Sequence, residues 1–515
     1  MEPISDLFGV ERLPLPRAAE MSEIDRRARE DHGVPERLLM ESAGRAIAQV
    51  VQQFFPEGKV VAAVGSGHNG GDAFIALRIL RAWGRDVLAI QAGRQPPDTA
   101  LAHRWEIPVL PAESAASEFA SARVIMDGIL GTGTSGAPHE RVARLIETMN
   151  SSNGVRVAVD GPSGINYSTG EVPGACVNAH FTVTLGYPKL GMLFQPARSY
   201  CGRIIAAEIG FPPVRNDEVS AEVITPNWAS RKLPLRAPDA HKGDAGYLLI
   251  AAGRKGMAGA GVLAARGALA MGAGIVRIAS DAANRKIYQT AVPEAIFVDI
   301  DDDAAMGEAG EWAHAVVAGP GFGQDKLAAE RLKRTLNCTG AAPILIDADG
   351  LNMLAAKSGT LAEIAKLRPV AITPHPGEMA RLLGLTINEI TADPVAIAAL
   401  AAEQLRSAVL LKGAPSVIAL SHEPVLVTSS GSSAAASGGS GDVLSGAGGA
   451  MLAARMPRRE ALGIALFYCG RAAQLGPTLG RTSLELVDSI PAALNNPGAT
   501  TPPLPFVLFD QPPPR

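Results

Sequence analysis

The stretch Ser437-Gly438-Gly439-Ser440-Gly441-Asp442-Val443-Leu444-Ser445-Gly446 has the pattern of a glycine turn that opens a helix in an α/β protein. Its glycines let several backbone N–H groups approach one anion, and the helix directs its positive end to the same point. Phosphoryl transfer needs such a cradle and a carboxylate that takes the proton of the attacking hydroxyl. The pattern therefore predicts a nucleotide-using enzyme with Asp442 as its catalytic base. For the motif alone, a helix N-cap in a glycine turn is an equally good explanation.

Other turns in the same half also follow short apolar strands, as expected for an α/β fold. The strands are residues 246–250, 315–318, 344–347, 370–373 and 409–412, and the turns contain Gly319-Pro320-Gly321-Phe322-Gly323, Asp347-Ala348-Asp349-Gly350, Thr373-Pro374-His375-Pro376-Gly377-Glu378 and Lys412-Gly413. Lys412 could hold a nucleotide phosphate, and the prolines on either side of His375 indicate a placed ligand contact. Taken singly, these are an ordinary strand-end charge and a loop histidine. Together with the first turn, however, they are more than helix capping explains.

The first half repeats the pattern of a buried strand followed by a glycine turn. Strands are predicted at residues 60–64, 87–90, 124–127 and 155–160, and a helix at residues 73–83. The turn Gly65-Ser66-Gly67-His68-Asn69-Gly70-Gly71-Asp72 suits pyrophosphate binding, although a tight turn explains it equally well. Alternating strands and helices predict a parallel sheet with ligands beyond its carboxyl edge, where Asp127 and Asp160 fall. Carboxylates and hydroxyls at this edge could hold a hard cation, or could simply cap helices.

The composition restricts the class of protein. The chain has 515 residues, of which 47% are hydrophobic, with 4 scattered cysteines and a net charge of −4. We expect two α/β domains at residues 1–225 and 226–495, separated by a proline cluster, and a loose proline-rich tail at 496–515. Nothing in the charge favours nucleic acid or a membrane surface. Without a CxxC pair, a signal-peptide pattern or an uncharged run of transmembrane length, we expect a cytoplasmic protein.

The second half resembles the ADP/ATP-dependent NAD(P)H-hydrate dehydratases of the ribokinase-like superfamily. The resemblance runs over residues 241–486 and is carried by His241-Lys242-Gly243, Gly256-Met257-Ala258-Gly259-Ala260, Gly319-Pro320-Gly321, Asp347-Ala348-Asp349, residues 373–378, Leu411-Lys412-Gly413 and residues 438–442. It implies a ribokinase-like αβα fold. The substrate it implies is a damaged NADH or NADPH with a hydroxyl on the nicotinamide ring. Asp442 would deprotonate this hydroxyl, which would take a phosphoryl group from ADP or ATP with Mg²⁺ before phosphate leaves.

The same resemblance assigns contacts in the second half. The hydrate contacts would be Ala260, Gly261, Gly321, His375 and Asp442, and the nucleotide contacts would be Lys412, Gly413, Ala414, Pro415, Ser416 and Gly441. The sequence departs from the family before the glycine turn. Where the family usually has Asn-Pro-Gly-Met-Ala, this chain has Ser432-Ser433-Ala434-Ala435-Ala436, so a side-chain amide is lost.

The first half resembles the NAD(P)H-hydrate epimerase domain over residues 18–211, which implies a Rossmann-like three-layer αβα fold. His68 and Ala73 replace the first Asn and the last Gly of the family's Asn-Asn-Gly-Gly-Asp-Gly loop. The resemblance implies potassium bound by Asn69, Asp127 and Ser163. It also implies hydrate contacts at His68, Asn69, Gly70, Gly71, Asp72, Gly131, Thr132, Gly133, Thr134, Ser135, Gly136, Ala137 and Asp160. We expect Asp160 to be the acid/base group, since a carboxylate near the ring could move the required proton.

The two halves together predict a bifunctional repair enzyme. Hydration of the nicotinamide ring gives R and S epimers; the second domain would dehydrate the S form, and the first would supply it from the R form. The alternative is a ribokinase-superfamily kinase for a small alcohol, fused to a Rossmann-like module that binds without catalysis. We expect the partners to be hydrated NADH or NADPH and ADP or ATP, with no nucleic acid and no membrane, and we expect a homo-oligomer.

Overall fold

A computed structural model describes residues 13–93, 99–134, 136–356, 359–498 and 507–513. It divides the chain into two compact units. The first unit extends to Glu222 and includes the segment at the end of the chain, and the second extends from Val223 to Gly498. Each unit is built on one mostly parallel sheet, so the expected α/β class with two domains is confirmed.

The sheet of the first unit has the order β18-β7-β6-β5-β4-β1-β2-β3, in which β1 to β7 are parallel. These strands are β1 (Val60–Val64), β2 (Val87–Gln91), β3 (Val109–Pro111), β4 (Val124–Gly128), β5 (Val155–Val159), β6 (Phe181–Leu185) and β7 (Arg203–Ala207). The order reverses between β1 and β4. In a doubly wound sheet, the crevice at such a reversal is where ligands bind.

Helices cover both faces of this sheet. They are α1 (Ala18–Glu30), α2 (Glu36–Phe54), α3 (His68–Ala82), α4 (Thr99–Arg104), α5 (Ala115–Ser121) and α6 (Glu140–Asn150). Alternate side chains of β1 point to opposite faces. Val60, Ala62 and Val64 pack in one core with α2 and α3, whereas Val61 and Ala63 pack in another with α5 and α6. The unit is therefore a three-layer sandwich, as predicted.

The end of the chain differs from the expected loose tail. Val507–Gln511 forms β18, which pairs antiparallel with the edge strand β7. Phe509 is buried, and Arg203 Nε donates a hydrogen bond of 2.8 Å to Asp510 Oδ1. Because an edge strand carries unpaired N–H and C=O groups, it can order a segment whose composition alone suggests a loop. These residues belong to the first unit.

The sheet of the second unit has the order β11-β10-β9-β12-β13-β14-β15-β16-β17-β8. Its strands are β8 (Ala221–Ile224), β9 (Tyr247–Ala251), β10 (Ile275–Ser280), β11 (Ile296–Asp299), β12 (Ala315–Ala318), β13 (Ile344–Ile346), β14 (Val370–Ile372), β15 (Ala408–Leu411), β16 (Val417–Ala419) and β17 (Val425–Thr428). Strands β9 to β15 are parallel, and β15, β16 and β17 form an antiparallel meander. The strands predicted from the sequence are confirmed to within about a residue at their ends.

The helices of this unit are α7 (Pro226–Lys232), α8 (Ala258–Ala270), α9 (Arg285–Ala291), α10 (Asp303–Trp312), α11 (Lys326–Cys338), α12 (Asp349–Ala355), α13 (Thr360–Leu367), α14 (Pro376–Leu383), α15 (Ile387–Ala392), α16 (Pro394–Leu405), α17 (Ser440–Ala453), α18 (Arg458–Gln474) and α19 (Ser483–Asn495). Helices α8, α17, α18 and α19 share one core with the inner face of the sheet. The other strand face is also buried, for example at Val316, Ile344 and Ile372. No described helix is long and apolar enough to cross a lipid bilayer.

Close helix packing brings two helix N-termini to the carboxyl edge of the second sheet. A Cβ on Gly446 of α17 would lie 1.8 Å from the carbonyl oxygen of Ala264 in α8, and a Cβ on Gly267 would lie 2.5 Å from that of Val443. Only glycine permits this approach of the two backbones. The first turns of α8 and α17, which carry Ala260 and Asp442, therefore flank the same edge.

Candidate active sites

In the first unit, the predicted glycine loop is largely helical. Helix α3 begins at His68, not at Ala73 as expected, so residues 69–72 lie in its first turns. The glycines serve close packing: a Cβ on Gly70 would lie 2.1 Å from Gly65 O, and one on Gly71 would lie 2.4 Å from Met40 Cε. The start of α3 therefore lies against the turn after β1. Its N–H groups open toward the crevice, which favours an anionic ligand.

The three predicted potassium ligands lie together around Leu130. Asn69 Nδ2 donates to Leu130 O at 2.8 Å, and Leu130 N donates to Ser163 Oγ at 2.9 Å. Ser163 Oγ in turn donates to Asp127 Oδ1 at 2.6 Å, and Ser163 N donates to Asp127 Oδ2 at 2.7 Å. The turns after β1, β4 and β5 thus meet at one point, at the reversal of strand order.

This cluster has the features of an oxygen-ligand cation site. Asn69 Oδ1 is buried and receives no hydrogen bond within the described part of the chain. Asp127 is fully buried; burial raises its pKa to about 6, although hydrogen bonds from Ser163 and Ile129 lower it. No group of three or more His, Cys, Asp or Glu side chains among the described residues could hold a metal. The oxygens present, one carboxylate with an amide and a hydroxyl, suit a weakly charged hard cation rather than zinc.

Asp160, the expected acid/base group of this unit, forms an ion pair that the sequence did not reveal. Its Oδ1 accepts hydrogen bonds from Lys189 Nζ and, at 3.0 Å, from Leu185 N. The Lys189 side chain is only 1% exposed, and its Nζ also donates to Thr184 Oγ1 at 3.0 Å. Asp160 has a φ of 62°, which is rare for a residue with a Cβ and is typical of functional sites. The signal for Lys189 was available, because Gly186-Tyr187-Pro188-Lys189 is a strand-end turn like the one at Lys412.

Asp72 is a second carboxyl group near this pair. It is buried, and its Oδ1 receives no hydrogen bond from any described residue. Burial raises its pKa well above the usual range, the nearby Asp160 raises it further, and Lys189 lowers it. Burial therefore favours the neutral form of this carboxyl group, which can donate a hydrogen bond as well as accept one.

The remaining predicted contacts of the first unit lie at the surface of the crevice. His68 is exposed, with Nε2 3.0 Å from Glu36 Oε1. A Cβ on Gly131 would lie 3.3 Å from Asn69 Cβ, so this loop reaches the cation candidate. Thr134 Oγ1 donates to Gly131 O at 2.8 Å. Of the other predicted loop contacts, Thr132, Gly133, Gly136 and Ala137 are described, and Ser135 lies outside the described residues.

In the second unit, Asp442 lies in the first turn of α17, after Gly439 with a φ of 91°. Its carboxyl group is half-buried. Burial raises its pKa to about 7, Asp347 raises it further, and Lys412 lowers it. A carboxylate with this pKa can accept a proton from an alcohol and release it again near neutrality.

Lys412 lies beside the glycine turn but is bound to other carboxylates. Its Nζ is 3.0 Å from Asp347 Oδ1 and 4.0 Å from Glu378 Oε2. Both carboxylates are buried, and Ser445 Oγ in α17 donates to Asp347 Oδ2. A Cβ on Gly441 would lie 3.6 Å from Lys412 Nζ. The ammonium group is therefore held beside the glycine turn, where the sequence predicted a lysine at a strand end; its role in phosphate binding stays a prediction.

His375 caps the N-terminus of α14 and is fixed by a capping box. Its Nδ1 accepts a hydrogen bond from Gly377 N at 3.0 Å, and Glu378 Oε2 accepts one from His375 N at 2.9 Å. Because Nδ1 is an acceptor, the neutral ring carries its proton on Nε2. The ring is half-exposed, and its Nε2 lies 3.4 Å from Glu378 Oε1. The stiff loop predicted from the two flanking prolines is thus held by the helix it starts.

The hydrate contacts predicted at Ala260 and Gly321 meet at a junction of two loops. Gly253 N donates to Pro320 O at 2.9 Å, and Arg254 N donates to Gly321 O at 2.8 Å. A Cβ on Gly321 would lie 2.9 Å from Ala260 Cβ. Nearby, a Cβ on Gly261 would lie 2.4 Å from the hydroxyl of Tyr288, a buried residue. Larger side chains would therefore not fit at Gly261 or Gly321.

The other predicted nucleotide contacts form a compact turn after β15. Gly413 N donates to Ser416 Oγ at 3.0 Å across Ala414 and Pro415, whose shared peptide bond is cis. Residues 432–436, where the sequence departs from the family, form a short turn. It is capped by Ser432 Oγ, which accepts from Ala434 N at 3.2 Å and donates to Ala473 O at 3.2 Å.

Comparison with known proteins identifies the family of both halves of the chain. Residues 248–490 match the family model described as NAD(P)H-hydrate dehydratase, and residues 36–191 match that of the YjeF-related protein N-terminus. The bifunctional NAD(P)H-hydrate repair enzyme of Escherichia coli (strain K12) is 35% identical over 430 residues, which cover 82% of each chain. The chain belongs to the family of bifunctional NAD(P)H-hydrate repair enzymes. A repair enzyme of the same name from Thermofilum pendens is 32% identical over 94% of this chain and 96% of its own length.

Among solved structures, the second unit is similar to the ADP/ATP-dependent NAD(P)H-hydrate dehydratase of Bacillus subtilis, which was co-crystallised with ATP and Mg²⁺. That similarity has a TM-score of 0.47 and 28% identity, and covers 53% of this chain and 96% of the other. Membership of the repair-enzyme family rests on the two family models and on full-length relatives. It covers both candidate sites within one chain.

Proposed function

We propose that this chain interconverts the R and S hydrates of NADH and NADPH in its first unit and dehydrates the S hydrate in its second, at the expense of ADP or ATP. The observation that carries this proposal is the position of Asp442. It lies at the start of α17, in a glycine turn beside Lys412, with a pKa raised to about 7. A proton acceptor next to an anion cradle is what phosphorylation of an alcohol requires.

In the second unit, Asp442 takes the proton of the hydrate's ring hydroxyl while the hydroxyl oxygen attacks the terminal phosphorus of the nucleotide. Lys412 and the backbone N–H groups of residues 438–441 hold the phosphate charge. The bond from the terminal phosphorus to the bridging oxygen breaks, so that AMP leaves from ADP, or ADP from ATP. The phosphate group on the ring carbon then departs as inorganic phosphate, pushed by the ring nitrogen, and loss of a ring proton restores the double bond. His375, Ala260 and Gly321 would form the wall that holds the nicotinamide ring. Mg²⁺ would supply charge neutralisation on the nucleotide phosphates.

In the first unit, Asp160 and Lys189 are proposed to move the proton that epimerisation needs. The carboxylate can accept a proton and the ammonium group can donate one, so the pair can take up and return the proton that moves during epimerisation. Asp72, whose pKa is raised by burial, would form a hydrogen bond with the ligand from the start of α3. Gly131 and its loop would cover the ring on the outer side.

A potassium ion is proposed at Asn69, Asp127 and Ser163. Two observations support this site: Asn69 Oδ1 has no hydrogen-bond partner among the described residues, and the Asp127 carboxylate is fully buried. Each would gain the cation as a partner. When bound, the ion neutralises the buried carboxylate and orders the three turns around Leu130. Replacing potassium by choline should slow epimerisation and lower the temperature at which the first unit unfolds. In Asn69→Asp, a different monovalent ion should restore the epimerisation rate.

The deciding experiment follows both hydrate epimers separately, with ADP and with ATP. Recovery of NADH absorbance together with release of inorganic phosphate supports the dehydratase. A stable phosphorylated product would indicate a small-molecule kinase instead. Consumption of both epimers, with the R form consumed more slowly, supports the epimerase. If the R form disappears only at the rate of uncatalysed epimerisation, the epimerase is contradicted. The nucleotide preference follows from comparing kcat/KM for the two nucleotides.

A cytoplasmic location is proposed because all four cysteines are free thiols, as in reducing compartments. An assembly of identical chains is also proposed, and light scattering of the purified protein would measure its mass directly.

A further inference from the structure

Thr373 carries a buried hydroxyl for which the described part of the chain provides no partner. The residue directly follows β14 and is 1% exposed, and its Oγ1 neither donates nor accepts a hydrogen bond. Its backbone N–H is paired, donating to Ile346 O at 3.3 Å. A buried hydroxyl left without a partner costs stability, and valine would fill the same space without that cost. The hydroxyl therefore calls for an explanation.

The register of the sheet places this hydroxyl in the dehydratase centre. Strand β14 lies between β13 and β15, and Leu345, Ala371 and Leu410 of these strands pack in the core beneath α17. Because side chains alternate along a strand, the residue two positions after each of them points to that same face. Those residues are Asp347, Thr373 and Lys412.

The ladder continues far enough for this alternation to hold. Thr373 N donates to the neighbouring strand, and Lys412 N donates to Pro374 O at 2.9 Å. The ion pair between Lys412 Nζ and Asp347 Oδ1, 3.0 Å long, therefore passes over the end of β14, where Thr373 lies. Ser445 of α17 binds the same Asp347 from the helix side. The charged pair and the start of α17 therefore lie on the face of the sheet to which Thr373 points.

The backbone around Thr373 is restricted by its neighbours, which limits the orientations of its side chain. Pro374 and Pro376 restrict the chain that follows, and the His375 capping box holds it to α14. Threonine is branched at Cβ, which limits its χ1 rotamers. Lys412 and the helix N-terminus attract negative charge near the hydroxyl, and Mg²⁺ carried with the nucleotide would offset the nearby carboxylates of Asp347 and Glu378.

We propose that Thr373 is a further ligand-binding residue of the dehydratase, whose hydroxyl donates a hydrogen bond to an oxygen of the phosphoryl group that is transferred. The proposal rests on the proposed function of the second unit. With ligand bound, the hydroxyl gains the partner that the protein alone does not supply. The unfavourable burial of a bare hydroxyl is the cost of a site that is already shaped for phosphate.

The test compares Thr373→Val with Thr373→Ser in the full chain. A hydrogen bond to a charged group is worth enough that valine should weaken ADP–Mg²⁺ binding or lower kcat about 10- to 100-fold, while serine retains most of the activity. Unfolding of the ligand-free Thr373→Val protein should occur at the same or a higher temperature than the wild type. Isothermal titration with ADP–Mg²⁺, steady-state kinetics on the S hydrate and thermal unfolding provide these readouts.

Thr335→Val is the matched control. Thr335 is equally buried in α11, but its hydroxyl donates to Arg331 O at 2.9 Å. Valine there should lower stability and leave kcat and KM unchanged, the opposite of the pattern at Thr373. If Thr373→Val matches the wild type in kcat, KM and ADP–Mg²⁺ affinity, or loses only stability, the inference is wrong. The proposed function fails separately, if the wild type leaves the hydrate unchanged, and the nucleotide titration still tests Thr373 in that case.

Discussion

The two units each place a carboxylate beside the carboxyl edge of a sheet, but they surround it with opposite charges. Asp160 in the first unit is bonded to the buried ammonium group of Lys189. Asp442 in the second unit lies near the carboxylate of Asp347, which raises its pKa. Lys412 pairs with Asp347 and not with Asp442. The first carboxylate is thus part of an ion pair. The second has a pKa of about 7, which suits a proton acceptor. Removing either should abolish one activity but change stability in opposite directions.

The largest effect is expected for Asp442→Asn. Without its general base, dehydration of the S hydrate should fall about 10²- to 10⁴-fold, while epimerisation continues. Because the pKa of Asp442 is raised in the folded state, the folded protein binds this proton more tightly than the unfolded one does. The ionised form therefore lowers stability as pH rises from about 4 through 7. Asparagine removes that penalty, so at pH 8 the variant should unfold at an equal or higher temperature.

Asp488→Asn in α19 is the control for this variant, since Asp488 is exposed and lies outside the site. It should match the wild type in both rate and stability. A lower stability of Asp442→Asn at pH 8 would contradict the difference drawn between the two carboxylates, because it would indicate a stabilising ion pair at Asp442 as well.

Asp160→Asn tests the other side of the comparison. It leaves the buried Lys189 without a counter-charge, which typically costs about 3–5 kcal/mol. We expect the unfolding transition of the first unit to move to lower urea concentration, and epimerisation to be lost. The double variant Asp160→Asn with Lys189→Met should recover part of the stability but none of the activity. Equal stability of Asp160→Asn and the wild type would mean that the pair is not a buried ion pair in solution.

The pH dependence of dehydration sharpens the comparison further. With Asp442 ionising at a pKa of about 7, the fraction of active base should rise about tenfold between pH 6 and pH 8, and kcat/KM should rise with it. Asp347 raises this pKa, so Asp347→Asn should move the midpoint of the pH profile to lower pH. The variant should also have a lower maximal rate, because Lys412 loses the carboxylate that holds it in place. A pH profile in Asp347→Asn with its midpoint unchanged would remove Asp347 as a cause.

The contrast also separates what the sequence could predict from what it could not. Strand ends and glycine turns are local patterns, so Asp127, Asp160 and Asp442 could be placed at sheet edges from the sequence alone. The partners of the site carboxylates come from elements that are distant in the sequence. Lys189 lies 29 residues after Asp160, and Ser445 lies 98 residues after Asp347, and no local pattern indicates such pairs.

Two local features were misjudged for a related reason. The start of α3 at His68 depends on the contact of Gly70 with Gly65, and strand β18 depends on the free edge of β7. Each is decided by a neighbour in space, so propensity alone predicted a turn and a loose tail. The orphan hydroxyl of Thr373 is likewise visible only once the strand order is known.

The smallest effect is expected for Asp510→Asn in β18, which repeats the Asp160→Asn experiment at an ion pair whose cation is partly exposed, although the Asp510 side chain itself is buried. Asp510 binds Arg203, but Arg203 is 32% exposed and also packs over the ring of Phe54, 5.1 Å from its centre. Once the carboxylate is gone, water and the ring still solvate the guanidinium. The cost should therefore be about 1 kcal/mol or less, confined to the unfolding of the first unit and with dehydration unchanged. A cost as large as that of Asp160→Asn would show that exposure does not distinguish the two pairs, and that β18 is as important to the first sheet as its buried lysine.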